Sequence, residues 1–120
     1  MKLEGSFVSK GVKCASFYED CDEFPEPVAK EFVQVYGVCF LEKKIALVRN
    51  RPTGRWNLPG GTHEKGESVG ETFCREIREE TNCQVISWKP IGFQKVVEEG
   101  GNSCFQLRVA AIVKKLGEFE

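Results

Sequence analysis

Residues 60–83 read GGTHEKGESVGETFCREIREETNC, a glycine loop running straight into a helix. Ser68 has the chemistry of an N-cap, and Glu71, three residues on, completes a capping box. Phe73, Cys74, Ile77 and Thr81 recur at helical spacing and are expected to face a core. Asn82 follows the last turn, where a left-handed residue is wanted and Asn tolerates that conformation.

The polar face of this helix is unusual. Glu76, Glu79 and Glu80 stand at i, i+3 and i+4 and therefore share one side. Like charges at that spacing repel. Glu79 and Glu80 also fall in the last turn, where the helix dipole favours cations instead. Two readings follow from the charges alone. One is a solvated acidic face with Arg75 and Arg78 as partial partners. The other is a site for a hard divalent cation, whose charge would offset the repulsion.

The wider spacing separates those readings. Gly61, five residues, Glu67, seven residues, and then Arg75-Glu76-Ile77-x-Glu79-Glu80 resembles the signature of the Nudix hydrolases, G-x5-E-x7-R-E-U-x-E-E-x-G-U, with U a bulky aliphatic. Trp56-Asn57-Leu58-Pro59-Gly60 resembles the usual lead-in. Asn82 replaces the family glycine and Cys83 the final aliphatic, but no charged position departs. The resemblance implies an α/β/α sandwich around a mixed sheet and hydrolysis of a nucleoside diphosphate linked to another moiety. It implies that Glu79 and Glu80 hold Mg²⁺ or Mn²⁺ with help from the Gly60 carbonyl. Glu76 becomes a metal ligand or the general base, Arg75 orients Glu76 or Glu79, and Glu67 braces the loop formed with Gly61 or helps hold metal. Independently of the family, water attack on a multiply anionic diphosphate needs neutralised phosphoryl oxygens and a deprotonated nucleophile, and clustered carboxylates with divalent ions supply both.

Composition narrows the alternatives. A chain of 120 residues fits one domain, and 41% hydrophobic residues can bury a core. The net charge of −1 gives no argument for a nucleic-acid or membrane partner. No apolar run approaches the ~20 residues of a membrane span, and no secretory signal follows Met1. The six cysteines are scattered without a CxxC pair. They are expected to be reduced and mostly buried, in a cytoplasmic protein, with Cys14 and Cys21 the pair to watch for a bridge. A P-loop is excluded because no GxxxxGK[ST] occurs.

Around the motif, residues 1–30 read as an extension, with a loose lead over 1–10, a short strand over Gly11–Tyr18 and an acidic, proline-broken loop. The core is expected over 31–116. Glu31–Phe40 is a central strand, and Ile45–Arg49 forms a hairpin with it. Arg49, Arg51 and Arg55 surround a turn and are either solvated loop charge or phosphate contacts, with Arg49 foremost. Trp56 either packs the loop root or stacks on a base, packing being preferred. Lone His63 is expected to be exposed rather than catalytic. Cys83–Trp88 is a strand interrupted at Pro90, and Ile91–Val97 continues in extended form. Cys104–Val113 is another strand, with Phe105, Leu107, Val109 and Ala111 on one face and Gln106, Arg108, Ala110 and Ile112 on the other. Compared with the family, a further strand and a closing helix are missing. Cys104–Val113 is therefore expected to present a bare edge and an uncovered face, leading to a homodimer, aggregation or attachment to a longer polypeptide.

The expected ligand is a small nucleotide. A (deoxy)nucleoside triphosphate comes first, because the downstream Pro or Tyr typical of other subfamilies is not found, and ADP-ribose or a nucleotide sugar comes second. The rival from another class is a non-catalytic nucleotide-binding or regulatory module on the same fold.

Overall fold

The structure, a computed structural model, describes residues 1–117. The chain begins with β1 (Lys2–Ser9) and β2 (Val12–Asp20), followed by the short helix α1 (Glu26–Glu31) and β3 (Phe32–Leu41). Next come four short strands, β4 (Lys44–Ile45), β5 (Val48–Arg49), β6 (Trp56–Asn57) and β7 (Gly60–Thr62). The helix α2 (Val69–Thr81) and two long strands, β8 (Cys83–Glu98) and β9 (Ser103–Lys115), complete the described chain. Seven strands form one sheet in the order β1-β2-β8-β9-β3-β4, with β7 also pairing to β3. β3 and β9 run parallel and the other pairs antiparallel, so the sheet is mixed. β5 and β6 form a separate two-stranded ribbon.

The α2 boundaries follow from its sequence. Ser68 accepts from the Glu71 N–H while the Glu71 carboxylate accepts from the Ser68 N–H, the full capping box. Asn82 ends the helix in the left-handed conformation at φ 54°. The inward stripe is Val69, Thr72, Phe73 and Ile77, with Phe73 and Ile77 fully buried. Cys74, expected to face the core, is exposed instead. Thr72 takes the inward position, its hydroxyl donating to Glu67 Oε1 at 3.0 Å.

The ring of Phe73 lies over Gly37 of β3, where any Cβ would strike it. The same core takes Val35 and Cys39 from β3, Leu107, Val109, Ala111 and Val113 from β9, and Val28 from α1. Truncating Phe73 to Ala would cost about 3–5 kcal/mol.

Several expectations are corrected here. Residues 2–9 are a strand, not a loose lead. The signal was the turn that follows, where Lys10 and Gly11 have φ 50° and 80°, as a two-residue hairpin requires. Part of the acidic loop is α1, which has a proline in its first turn, an accepted helix-start position. β8 runs through Pro90, absorbing irregularities at Val85/Ser87 and Pro90/Gly92. β9 is not a bare edge: β8 flanks it on one side and β3 on the other. Its two faces alternate as expected, with Leu107, Val109 and Ala111 buried and Ile112 on the open face, 56% exposed. All six cysteines are free, with Cys14, Cys39 and Cys83 buried. No helix among the described residues is long and apolar enough to cross a membrane.

Candidate active site

α2 supplies the site because its inward stripe does not stop at the core. Thr72, Glu76 and Glu80 are spaced by four, so the two carboxylates continue the buried row past Phe73 and Ile77. Glu76 is mostly buried, its side chain 15% exposed, whereas Glu79 on the outer side is 58% exposed. Gly61 of β7 lies directly against the Glu76 carboxylate, with no room for even a Cβ. Gly60, at φ 148°, is packed as closely against the backbone of Val35 and Tyr36.

Arg75 binds the loop to the helix. Its Nε and Nη2 donate to the two oxygens of Glu67 at 2.7 and 3.0 Å, a bidentate pair. Nη2 also donates to the Thr62 carbonyl at 2.9 Å. Nη1 donates to Glu76 at 2.9 Å and to Glu79 at 3.3 Å. Glu67 in turn accepts from the Glu64 N–H and the Thr72 hydroxyl. Arg75 holds the Glu67 carboxyl well below its ordinary range, at about 2, assisted by those two further donors. The guanidinium is correspondingly harder to deprotonate, chiefly through Glu67.

Glu80 has the opposite environment. Burial raises its pKa; the Gly60 N–H, donating to it at 3.2 Å, opposes that, and the charges of Glu76 and Glu79 add to the rise. Among the described residues no three Cys, His or carboxylate side chains converge closely enough to hold a metal ion as they stand. Glu76 and Glu79 are drawn to Arg75 instead. The donor set still fits a hard divalent cation, since it offers carboxylate oxygens only and includes a half-buried Glu80 disfavoured in its charged form.

Glu80 and Gly60 open onto a cleft of about 690 Å³, also lined by Tyr36, Val48, Arg49, Asn50, Asn57, Leu58 and Arg108. That volume suits a small ligand. Of the three candidate loop arginines, Arg49 reaches the cleft, whereas Arg51 and Arg55 are exposed on the β5–β6 turn. Trp56 does not pack the loop root. It is 61% exposed, and Arg49 sits 6.0 Å from its ring centroid. The β5–β6 ribbon lies off the main sheet, so no core is available to that ring. His63 is half-buried, with Nε2 2.7 Å from the Glu67 carbonyl and its ring against Phe32. It braces the loop. Reading the sequence missed Arg108 and Tyr36. The available signal was a charged residue within the apolar alternation of β9.

A family model described as the NUDIX domain matches residues 31–110. The chain belongs to the Nudix family. The nucleoside triphosphatase NudI of Salmonella arizonae is 46% identical over 48 residues, covering 40% of this chain and 34% of that protein. YjhB of Bacillus subtilis, provisionally named an ADP-ribose pyrophosphatase, is 41% identical over 58 residues, covering 48% of this chain and 26% of that one. The matches thus span about a third or less of these Nudix relatives. The crystal structure of the Bacillus subtilis pyrophosphohydrolase BsRppH aligns with a TM-score of 0.72 at 22% identity, over 96% of this chain and 69% of that one. That likeness establishes a Nudix fold.

Proposed function

We propose that this domain is the catalytic unit of a divalent-metal-dependent pyrophosphohydrolase acting on a nucleoside diphosphate-linked substrate, with (deoxy)nucleoside triphosphates first and ADP-ribose or nucleotide sugars second. The observation that carries the reading is the Glu76, Glu79 and Glu80 cluster on α2, of which Glu80 lines a cleft that also presents Arg49. The resemblance to NudI supports the triphosphate and that to YjhB supports ADP-ribose.

Glu79 and Glu80, with the Gly60 carbonyl, would hold Mg²⁺ or Mn²⁺. When bound, the cation supplies charge neutralisation on phosphoryl oxygens and lowers the pKa of water. Glu76 serves as a metal ligand or as the base that takes a proton from the attacking water. Arg75 aims Glu76 through its hydrogen bond, and Glu67 holds Arg75 in place. Arg49 draws the anionic substrate into the cleft. Trp56 flanks that mouth and offers a face to a base.

A panel of nucleotides incubated with Mg²⁺ or Mn²⁺, with products resolved by anion-exchange chromatography, tests this. A nucleoside monophosphate and its leaving group should appear, and EDTA or Glu79→Gln should suppress them. Metal-dependent nucleotide binding with no cleavage of any substrate would turn the reading into a binding module.

A further inference from the structure

Arg108 and Arg75 are both arginines held by β-strand or loop neighbours, but only one is charge-compensated. Arg75 meets three carboxylates. Arg108 is half-buried in the middle of the sheet, directly across from Tyr36 on β3 and Gly92 on β8. Among the described residues its hydrogen bond is from Nη1 to the neighbouring Leu107 carbonyl at 3.1 Å, and no carboxylate lies within ion-pair distance.

The surroundings are nonetheless constructed. The guanidinium carbon sits 5.2 Å from the Tyr36 ring centroid, a cation–π contact. Tyr18 of β2 is seated on Gly92, the β8 residue paired with Arg108, where a Cβ would collide with its phenol. That phenol donates to the Ile91 carbonyl at 3.4 Å. A guanidinium offers five N–H donors in a fixed fork, and the cleft side is where the remaining ones can be used. Burial disfavours the charged form of Arg108, partly offset by Tyr36 and Tyr18. Burying an uncompensated cation is costly, and a bound anion removes that cost.

We propose that Arg108, stacked on Tyr36, is a substrate-phosphate anchor in the cleft that Glu80 also lines. The proposal rests on the pyrophosphohydrolase reading for the identity of the ligand, a nucleotide polyphosphate. A flat guanidinium held against an aromatic ring presents a pair of parallel donors, the match for two non-bridging oxygens of one phosphate. It adds a specificity residue on β9, well outside the loop–helix motif. Lysine retains the charge but not the fork or the stacking, so Arg108→Lys should recover only part of the binding.

The test uses Arg108→Gln and Arg108→Lys with two readouts. Calorimetry measures binding of a methylene-bridged, non-hydrolysable nucleoside triphosphate with Mg²⁺, and steady-state kinetics measures KM and kcat on a nucleoside triphosphate and on ADP-ribose. Arg108→Gln should weaken analogue binding and raise KM about 10–100-fold, with kcat held within about threefold. Its ligand-free melting temperature should hold or rise, because a half-buried unpaired cation is removed. An effect confined to the triphosphate places the contact on a terminal phosphate, and an effect on both substrates places it on a phosphate they share. Unchanged Kd and KM, or a fall in melting temperature that accounts for the whole loss, would overturn the proposal. If the unaltered protein cleaves nothing but binds the analogue through Arg108, the catalytic reading fails and this one stands.

Discussion

The loop–helix corner over residues 60–82 and the β1–β2 hairpin are built from the same backbone hydrogen bonding but differ in what their side chains do. In the corner, Arg75 alone meets Glu67, Glu76, Glu79 and the Thr62 carbonyl. Two glycines there leave no room for a Cβ. In the hairpin every residue of β1 is exposed, and among the described residues its ion pairs, Met1–Asp20 and Lys2–Glu19, are surface contacts. Such pairs contribute roughly 0–1 kcal/mol. Tolerance to substitution should therefore fall sharply between the two regions, and the corner should be where chemistry and stability conflict.

The largest effect is expected within the corner, and it should divide between adjacent glycines. Gly60→Ala drives a Cβ into the Val35 carbonyl from a φ of 148°, and backbone cannot move aside cheaply. A loss of about 3–5 kcal/mol is expected in thermal or denaturant unfolding. Gly61→Ala meets only the end of the Glu76 side chain, which can swing away. It should fold with little loss but lower hydrolysis about 100-fold or more, because the carboxylate leaves its place. Similar melting temperatures for the two variants would break the distinction.

Next comes Arg75→Met, which removes the link between loop and helix. Activity should fall about 10–100-fold, as for other residues that orient metal-binding groups. The acid limb of stability should change too. Glu67 is held at about 2 against an ordinary 4.5, so its ionised form stabilises the fold fully above about pH 4.5 and that contribution is lost as pH falls toward 2. In metal-free buffer the variant should lose stability less steeply over that window. An identical acid profile would show that Glu67 depends on its backbone and Thr72 donors instead.

Glu80→Gln is expected to move stability the other way. The raised pKa of Glu80 means that ionising it opposes folding, so its cost grows as pH rises through and above the carboxylate range. The amide oxygen can still accept from Gly60, and the repulsion with Glu76 and Glu79 disappears. The metal-free melting temperature at pH 7 should hold or rise, while activity falls about 10²–10³-fold. A clear drop in melting temperature would mean that this carboxylate is structural.

This contrast also explains what could be read without coordinates. The corner was legible because its determinants are local: the capping box, the left-handed Asn82 and the charge spacing all lie within one helix and its loop. The sheet order was not. That β9 sits between β8 and β3 depends on pairing across more than sixty residues of sequence from β3, and nothing within Cys104–Val113 distinguishes a central strand from an edge. Cys74 is misjudged from the apolar period because the inward position beside Phe73 goes to a polar residue, Thr72, whose hydroxyl Glu67 satisfies. Trp56 was misplaced because an aromatic beside a loop looks the same whether a core or solvent receives it. Arg108 has partners, Tyr36 and Tyr18, from two strands distant in sequence.

The smallest effect on stability belongs to the hairpin, where association is the more informative measurement. Pairing of β9 on both flanks leaves β1 as the long edge of the sheet, so β1 is the strand to which a second copy would add. It carries Leu3 and Val8, 54% and 66% exposed, and has no proline or bulge to deter such pairing. Val8→Lys places a charge on that edge without touching the core. Stability should change by about 0.5 kcal/mol or less, and hydrolysis should be unaffected. Sedimentation equilibrium should show concentration-dependent association of the unaltered protein that Val8→Lys weakens. A monomer at every concentration in both proteins would remove β1 as a contact surface, and association unchanged by the lysine would move the contact to the open sheet face around Phe40 and Ile112, also exposed.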